Sequence, residues 1–374
     1  YGVLGGCGLG LGYVSPVSTL IKWFPDRRGM AAGMAIMGFG GGAIIGTPLK
    51  EALIHEFYRA PVYLGAVEDV ELKTESGRRF ARVDGVSREV VVVSTDEIKE
   101  MIQPGPAGVY LVGTGNAGVA ETFCVLGGVY LLVMLIAAFC YRIPAEGWQP
   151  PGWTPPDDDQ IGKAMISRHN VGIDSATKTP QFYLVWIVLC FNVTAGIGVL
   201  GVAKTMMKEI FGSVLPTIVD GAFAATYVTM IGVFNMLGRF FWASASDYLG
   251  RKKTYTIFFV LGMGLYLSIP FTANQLGTSP SVMWLVVFYA ATMIIFTMYG
   301  GGFATIPAYL ADLFGSKFVG GIHGRLLTAW STAGVLGPLA ITTLRERSLS
   351  QAMHQLAGQV NSQQFAETFG QPLS

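Results

Sequence analysis

Residues 221–253 read GAFAATYVTMIGVFNMLGRFFWASASDYLGRKK, and this stretch decides the fold class. Its first part is an apolar run that is long enough for a membrane-spanning helix, which needs about 20 residues. The run contains one charged residue, Arg239, and then ends in Asp247 and a basic cluster at Arg251, Lys252 and Lys253. An arginine at the centre of a membrane helix costs about 2.5–3.5 kcal/mol on insertion scales, so Arg239 is a candidate functional residue. The basic cluster behind it is typical of the cytosolic end of a membrane span.

The composition of the whole chain also indicates a membrane protein. Of the 374 residues, 51% are hydrophobic and only 13% are charged, and the mean hydropathy is +0.48. A soluble domain has about 25% charged residues. The net charge of +1 argues against a nucleic-acid partner. The chain begins at Tyr1 without the charged leader of a signal peptide, and we expect further sequence to precede it.

Hydropathy predicts an all-α polytopic membrane protein with eight spans. They fall at residues 1–23, 30–49, 118–141, 182–203, within 221–253, and at 255–271, 282–304 and 324–344. The polar segment 50–116 contains alternating runs, such as residues 90–93 and 109–112, which predict a small water-exposed insert with short strands rather than a long loop.

The distribution of basic residues predicts the orientation of the spans. Short basic segments at residues 24–29, 142–180, 247–253 and 312–325 alternate with the other connections, and we expect them on the cytoplasmic side. The insert 50–116 and the polar tail 345–374 are then extracytoplasmic.

Several motifs resemble those of a known family. The basic turn KWFPDRRG at residues 22–29 precedes a Gly-rich span, and Asp247 begins a D-x-x-G-R-K element. Both resemble the cytoplasmic loops of the major facilitator superfamily, whose two six-helix halves are repeats. The segments TPQFYLVW (179–186), FNMLGRFFW (234–242) and HGRLLTAW (323–330) resemble the oxalate/formate antiporter family within it.

The resemblance implies a truncated major facilitator fold that contains helices 4 to 11. Residues 1–142 would then belong to the N-terminal bundle, with helices 4–6 and the insert 50–116. Residues 143–180 would form a cytoplasmic linker, residues 181–344 the C-terminal bundle with helices 7–11, and residues 345–374 a polar extracytoplasmic segment.

Arg239 is the main candidate for substrate binding. The resemblance implies that it faces the central cavity and binds a carboxylate. A guanidinium presents two parallel donors that match a carboxylate, and such a pair strengthens in a dry cavity. The alternative is that Arg239 extends to the cytosolic surface or pairs locally with Asp247, which lies two turns away.

Trp330 stands where the resemblance implies a lysine, the second cation of an oxalate site. A dianion opposite one arginine is under-neutralised, so we expect a monocarboxylate such as formate, lactate or pyruvate rather than oxalate. Arg325, five residues earlier, is the open alternative for a second charge.

Two further groups of residues follow from the resemblance. Cavity-facing aromatic residues are expected at Tyr13, Phe39, Tyr299 and Phe303, where they would exclude water and hold the carbon skeleton of a small anion. A cytoplasmic gate is expected from Asp247, Arg251, Lys252, Arg27 and Arg28. Simple positive-inside anchoring explains these basic residues equally well.

Other motifs carry less weight. The glycines at 113, 115 and 118 match G-x-G-x-x-G, but the insert is too short for a dinucleotide-binding unit, and we interpret them as a turn into the next span. The four cysteines and four histidines have no metal-ligand spacing, and no nucleophile–base pair stands out. We therefore expect neither an enzyme nor a metal or other cofactor.

These observations favour a secondary transporter that exchanges small organic anions by alternating access in a cell membrane, such as a bacterial inner membrane. Its expected partners are carboxylate anions and the lipid bilayer, without an obligate protein partner. The alternatives are a proton-coupled monocarboxylate symporter, for which the spans hold no acid away from their ends, and a membrane sensor that uses the insert to bind a ligand.

Overall fold

The computed structural model describes residues 2–75, 77–95, 97–103, 105–145, 147–154, 167, 169–278 and 281–359. Within these ranges, eight helical segments are long and apolar enough to cross a membrane, which confirms the predicted polytopic architecture. The helices are α1 (Gly2–Trp23), α2 (Arg28–Phe57), α3 (Val119–Cys140), α4 (Ile173–Ala176), α5 (Pro180–Phe211), α6 (Gly221–Leu249), α7 (Arg251–Thr278), α8 (Val282–Phe314), α9 (Val319–Leu326) and α10 (Thr328–Gln359). The short helix α4 is not a span, and α9 and α10 together form the last one.

Local sequence signals begin and end the helices of the second half of the chain. The Asp220 carboxylate accepts a hydrogen bond from the Phe223 amide at 2.7 Å and so caps α6. Thr179 caps α5 in the same way and is followed by proline at the first helical position. Gly250 and Gly315 follow α6 and α8 with φ of 86° and 82°, a backbone conformation that favours glycine.

Several helices extend beyond the predicted spans, and α2 and α10 continue into polar sequence. α2 reaches Phe57, beyond the predicted start of the insert at residue 50, and α8 reaches Phe314 rather than residue 304. The last predicted span is two helices that meet at Leu327, and α10 continues to Gln359 into the segment predicted as a polar tail. Hydropathy detects the apolar part of a helix, whereas backbone hydrogen bonding also continues through its polar ends.

The described chain divides into two compact units, and the first contains residues 1–42 and 143–374. Its centre is α8, in which half of the most apolar window is buried. Glycines let neighbouring helices approach α8 closely: a side chain at Gly301 would collide with the ring of Trp242 on α6. Such small-residue contacts are the usual basis of helix packing in lipid.

The second unit, residues 43–142, contains a small antiparallel sheet. Its strands are β1 (Tyr63–Gly65), β2 (Leu72–Glu75), β3 (Arg78–Val83), β4 (Val86–Val93) and β5 (Gly108–Leu111), in the spatial order β1-β5-β4-β3-β2. Its core is formed by Ala81, Val90, Val109 and Leu111. Asp84 and Gly85 connect β3 to β4 with φ of 51° and 80°, as a tight two-residue hairpin requires. The insert therefore contains the predicted short strands.

The glycine motif of the insert is a turn. Gly113, Gly115 and Gly118 all have positive φ, and a side chain at Gly118 would collide with the carbonyl oxygen of Ile54. All strand pairs of this sheet are antiparallel, so the motif does not lie in a parallel βαβ unit.

Candidate anion-binding site

Arg239 lies in the interior of the first unit, with only 6% of its surface exposed. Its Nε donates a hydrogen bond to Asn235 Oδ1 at 3.3 Å, one turn earlier on α6. Its Nη1 donates to the carbonyl oxygen of Ile36 on α2 at 3.1 Å. The side chain therefore crosses to α2 instead of pairing with Asp247. A guanidinium has five N–H groups, and these two bonds use two of them.

Two glycines make room for this guanidinium. A Cβ at Gly40 on α2 would lie 2.9 Å from Arg239 Nε and 3.1 Å from its Cζ. A Cβ at Gly300 on α8 would lie 3.1 Å from Arg239 Cγ and would also collide with Asn235. The position of the charge thus depends on the absence of side chains on two neighbouring helices.

We expect Gly40→Ala to displace the guanidinium and to lower the affinity for a carboxylate about tenfold, which corresponds to about 1.4 kcal/mol. The measurement is the KM of anion exchange in liposomes that contain the full-length protein. Gly38→Ala is the matched control, since a Cβ at Gly38 has no atom within 4 Å. Equal KM values for the two variants would contradict this account of Gly40.

Four aromatic side chains form a closed ring beside Arg239, which we call the aromatic ring. Successive ring centroids are separated by 5.6 Å (Tyr13–Phe39), 6.4 Å (Phe39–Trp330), 5.8 Å (Trp330–Phe303) and 5.8 Å (Phe303–Tyr13). The guanidinium carbon lies 5.5 Å from the centroid of Phe39 and 5.7 Å from that of Phe303. Each such cation–π contact contributes about 0.5–2 kcal/mol.

Tyr299 is buried near the site but is not a member of the aromatic ring. It lies one turn before Phe303 on α8, with its own ring 6.0 Å from Phe296. Its side chain occupies the space that a Cβ at Gly196 on α5 would need. The next residue along α8, Gly300, is one of the glycines that pack against Arg239. The structure thus brings five of the six predicted substrate-binding residues together and places Tyr299 at their flank.

His323 on α9 was not among the predicted site residues. It is 2% exposed, and its ring centroid lies 5.8 Å from that of Tyr13. It lies seven residues before Trp330 in the sequence, but the two residues belong to different helices, α9 and α10. No residue close to His323 in the sequence indicates a binding site, so its neighbours could be identified only from the fold.

Arg325 does not supply a second charge to the site. It is half-exposed, and its Nη2 lies 2.7 Å from Asp174 Oδ1. Its Nη1 donates a hydrogen bond to the Thr177 hydroxyl at 3.3 Å. The positive charge of Arg325 is therefore compensated beside α4.

Two cavities in the described part of the first unit do not have Arg239 in their linings. One, of about 530 Å³, follows a single apolar face of α7 from Thr256 to Leu265. Another, of about 230 Å³, lies among α5, α7 and α8 and reaches Tyr299. Neither has a charged residue in its lining, so Arg239 and the aromatic ring remain the better candidate for binding an anion.

Three of the five predicted gate residues, Asp247, Arg251 and Arg28, meet at one end of the first unit, which we call the basic end. The carboxylate of Asp247 accepts hydrogen bonds from the Gly29 and Met30 amides at 2.8 Å each, at the beginning of α2. It also forms an ion pair with Arg251 at 2.7 Å. An acid at a helix N-terminus is stabilised by the free amides and the helix dipole. Asp247 thereby connects α6 to α2.

Asp312, near the end of α8, completes this cluster. Its carboxylate contacts Arg28 at 3.0 Å and Arg251 at 2.9 Å. Both acids and Arg251 are at least 86% buried, so the pairs are shielded from water. The sequence places Asp312 only at the start of the basic segment 312–325, and this placement does not reveal which charges meet.

The other two predicted gate residues lie outside the cluster. Arg27 is 57% exposed and contacts Asp26 at 3.7 Å. Lys252 is exposed and forms no ion pair with any residue that the structure describes. Exposed charges of this kind contribute about 0–1 kcal/mol, so these two fit surface anchoring better than gating.

Three curated proteins resemble the chain at low identity. It is 24% identical to the oxalate:formate antiporter of Oxalobacter formigenes over 335 residues, which cover 89% of this chain and 59% of the relative. It is 23% identical to apicoplast pyruvate carrier 1 of Toxoplasma gondii, in a match that covers 87% of this chain and 55% of the relative. It is 22% identical to the uncharacterized MFS-type transporter YhjX of Escherichia coli, in a match that covers 84% of this chain and 57% of the relative. The chain thus spans a little over half the length of the curated relatives that it matches.

The chain also matches a protein family. Residues 105–338 fit the family described as the Major Facilitator Superfamily, which is more than half of the 374 residues. The eight apolar helices make the protein a multi-pass membrane protein. The chain belongs to the Major Facilitator Superfamily.

Proposed function

We propose that the full-length protein is a secondary transporter of small organic monocarboxylates that works by alternating access. The observation that carries the proposal is the buried Arg239 guanidinium beside the aromatic ring. Its charge is not neutralised by a carboxylate among the described residues, since its two bonds go to an amide and a carbonyl oxygen. A buried cation of this kind is costly unless an anion joins it. The names of two relatives, an oxalate:formate antiporter and a pyruvate carrier, support this substrate class.

The charge at the site favours a monocarboxylate over oxalate. Trp330 supplies an aromatic surface where a second cation would be needed, and Arg325 is paired with Asp174. One guanidinium neutralises one carboxylate through two parallel hydrogen bonds. The second carboxylate of oxalate would face the aromatic ring without a counter-charge.

The position of Arg239 supports alternating access. Under the family resemblance, α1 and α2 belong to the N-terminal half, and α5 to α10 belong to the C-terminal half. Arg239 on α6 bonds to α2, and the aromatic ring combines Tyr13 and Phe39 from one half with Phe303 and Trp330 from the other. A ligand there would contact both halves, as the superfamily mechanism requires.

Exchange is the favoured mode because return of the empty carrier would bury an uncompensated Arg239. A proton-coupled symporter has less support, since Glu121 and Asp220 lie at the beginnings of α3 and α6 rather than within them. We place the protein in a cell membrane, such as a bacterial inner membrane.

The test is counterflow in liposomes that contain the full-length protein and are loaded with formate, lactate, pyruvate or oxalate. We expect exchange of the monocarboxylates and little exchange of oxalate. Trp330→Lys should increase oxalate exchange at least tenfold by adding the missing cation, whereas Trp330→Phe should not. Wild-type exchange of oxalate at the rate of the monocarboxylates would contradict a site with one cation.

A further inference from the structure

Two buried polar atoms, one in the aromatic ring and one beside it, lack hydrogen-bond partners among the described residues. The hydroxyl oxygen of Tyr13 and Nε2 of His323 are both inaccessible to solvent, and neither bonds to any group in the described part of the chain. A buried polar atom that is left unpaired costs about 1–3 kcal/mol. Native structures rarely retain such atoms without a reason, and one common reason is a missing ligand.

The two atoms belong to side chains that adjoin the aromatic ring. Tyr13 is one of its four members and contacts both Phe39 and Phe303, the two rings on which the guanidinium of Arg239 rests. The imidazole of His323 lies 5.8 Å from the Tyr13 ring, between centroids. Arg239, the aromatic ring and His323 therefore form one continuous group contributed by six helices.

We propose that Tyr13 and His323 form a second polar contact, which binds an oxygen atom on carbon 2 of the monocarboxylate while Arg239 binds its carboxylate. The site would then prefer 2-oxo and 2-hydroxy acids to formate and to acids without an oxygen at carbon 2. This inference rests on the proposed function and names the substrate class within it.

The chemistry of the two side chains fits both kinds of acid. A tyrosine hydroxyl can donate a hydrogen bond to a keto oxygen, which is only an acceptor. Nε2 of a neutral histidine is a donor or an acceptor according to the tautomer, so the pair can also satisfy a ligand hydroxyl. An acid without this oxygen would leave both protein atoms unpaired. Sites built to hydrogen-bond a substrate group reject analogues that lack it.

The experiment compares pyruvate, lactate and propionate as substrates for exchange by the full-length protein in liposomes. We expect the wild type to have a KM for propionate at least tenfold higher than for pyruvate and lactate. Tyr13→Phe and His323→Leu should each raise the KM for pyruvate and lactate about tenfold and leave that for propionate unchanged. His323→Gln, which keeps a donor and an acceptor, should restore part of the preference and shows that loss in the leucine variant is not a folding defect.

Matched controls are Tyr183→Phe and His354→Gln, since both side chains are exposed and neither contacts Arg239 or the aromatic ring among the described interactions. Equal KM values for the three acids, or an equal loss for all three in Tyr13→Phe and His323→Leu, would overturn this inference. If exchange remained dependent on Arg239 in that case, the proposed function would stand without the second contact. If the wild type exchanged none of the three acids, the proposed function and this inference would both be wrong.

Discussion

Replacement of Arg239 by glutamine is expected to reduce monocarboxylate exchange at least 100-fold. The substitution removes both the positive charge and the two parallel N–H donors that match a carboxylate. A 100-fold loss corresponds to about 2.8 kcal/mol. That is the range of one or two charge-assisted hydrogen bonds, each of which contributes about 1.5–3 kcal/mol. The measurement is uptake of labelled pyruvate into liposomes loaded with unlabelled pyruvate.

Two further variants separate charge from geometry. Arg239→Lys keeps the charge but loses the parallel donors, so exchange should be intermediate between that of wild type and the glutamine variant. Arg325→Gln removes an arginine that is already paired with Asp174 at 2.7 Å, and exchange should stay within twofold of wild type. A strong loss of exchange in Arg325→Gln, together with normal exchange in Arg239→Gln, would contradict this account. It would show that Arg325, not Arg239, binds the carboxylate of the substrate.

Asp247→Asn is expected to open the basic end. The aspartate accepts two amide hydrogen bonds from α2 and pairs with Arg251, and it is 91% buried. Removing one partner of a buried ion pair costs about 3–5 kcal/mol. The conformation in which the basic end is closed should lose most of its population. Exchange should then fall at least tenfold, because the transport cycle alternates between a conformation closed at the basic end and one closed at the opposite end.

The reporter for this opening is the substitution Ser18→Cys. Ser18 lies on α1 beside Gly320 of α9. The exposed cysteines Cys7, Cys124 and Cys140 are first replaced, so that they do not react with the label. A membrane-impermeant maleimide applied from the basic end should label it at least tenfold faster in Asp247→Asn. Asp26→Asn is the control, because Asp26 contacts only the exposed Arg27 at 3.7 Å among the described ion pairs. Unchanged labelling in Asp247→Asn would show that the cluster does not hold the basic end closed.

Much of the architecture was predictable because hydropathy is a local property. The opening stretch 221–253 contains both the apolar span α6 and the basic residues that end it, so a single segment indicates the protein class. Helix ends were less predictable, as α10 shows: it continues to Gln359 through the mainly polar residues 345–359, which hydropathy does not detect. The insert was recognisable from its polar sequence and its runs of β-branched residues, but the order of its strands could be seen only in the fold.

The site was predictable only in part, and mainly through family resemblance. Arg239 stands out in any hydropathy profile, but its bond to Ile36 spans 203 positions in the sequence. Asp312 and His323 were missed for the same reason, since their partners lie on distant helices. An isolated charge or histidine acquires a role only when the fold brings its neighbours together, and no local pattern contains that information.

The most direct test of the central proposal is equilibrium binding of labelled pyruvate to the purified full-length protein, wild type beside Arg239→Gln. Binding does not require the transport cycle, so it separates recognition of the anion from movement of the helices. We predict saturable binding to wild type that unlabelled lactate displaces and that is lost in Arg239→Gln. Equal binding to the two proteins would contradict the assignment of Arg239 as the carboxylate-binding residue.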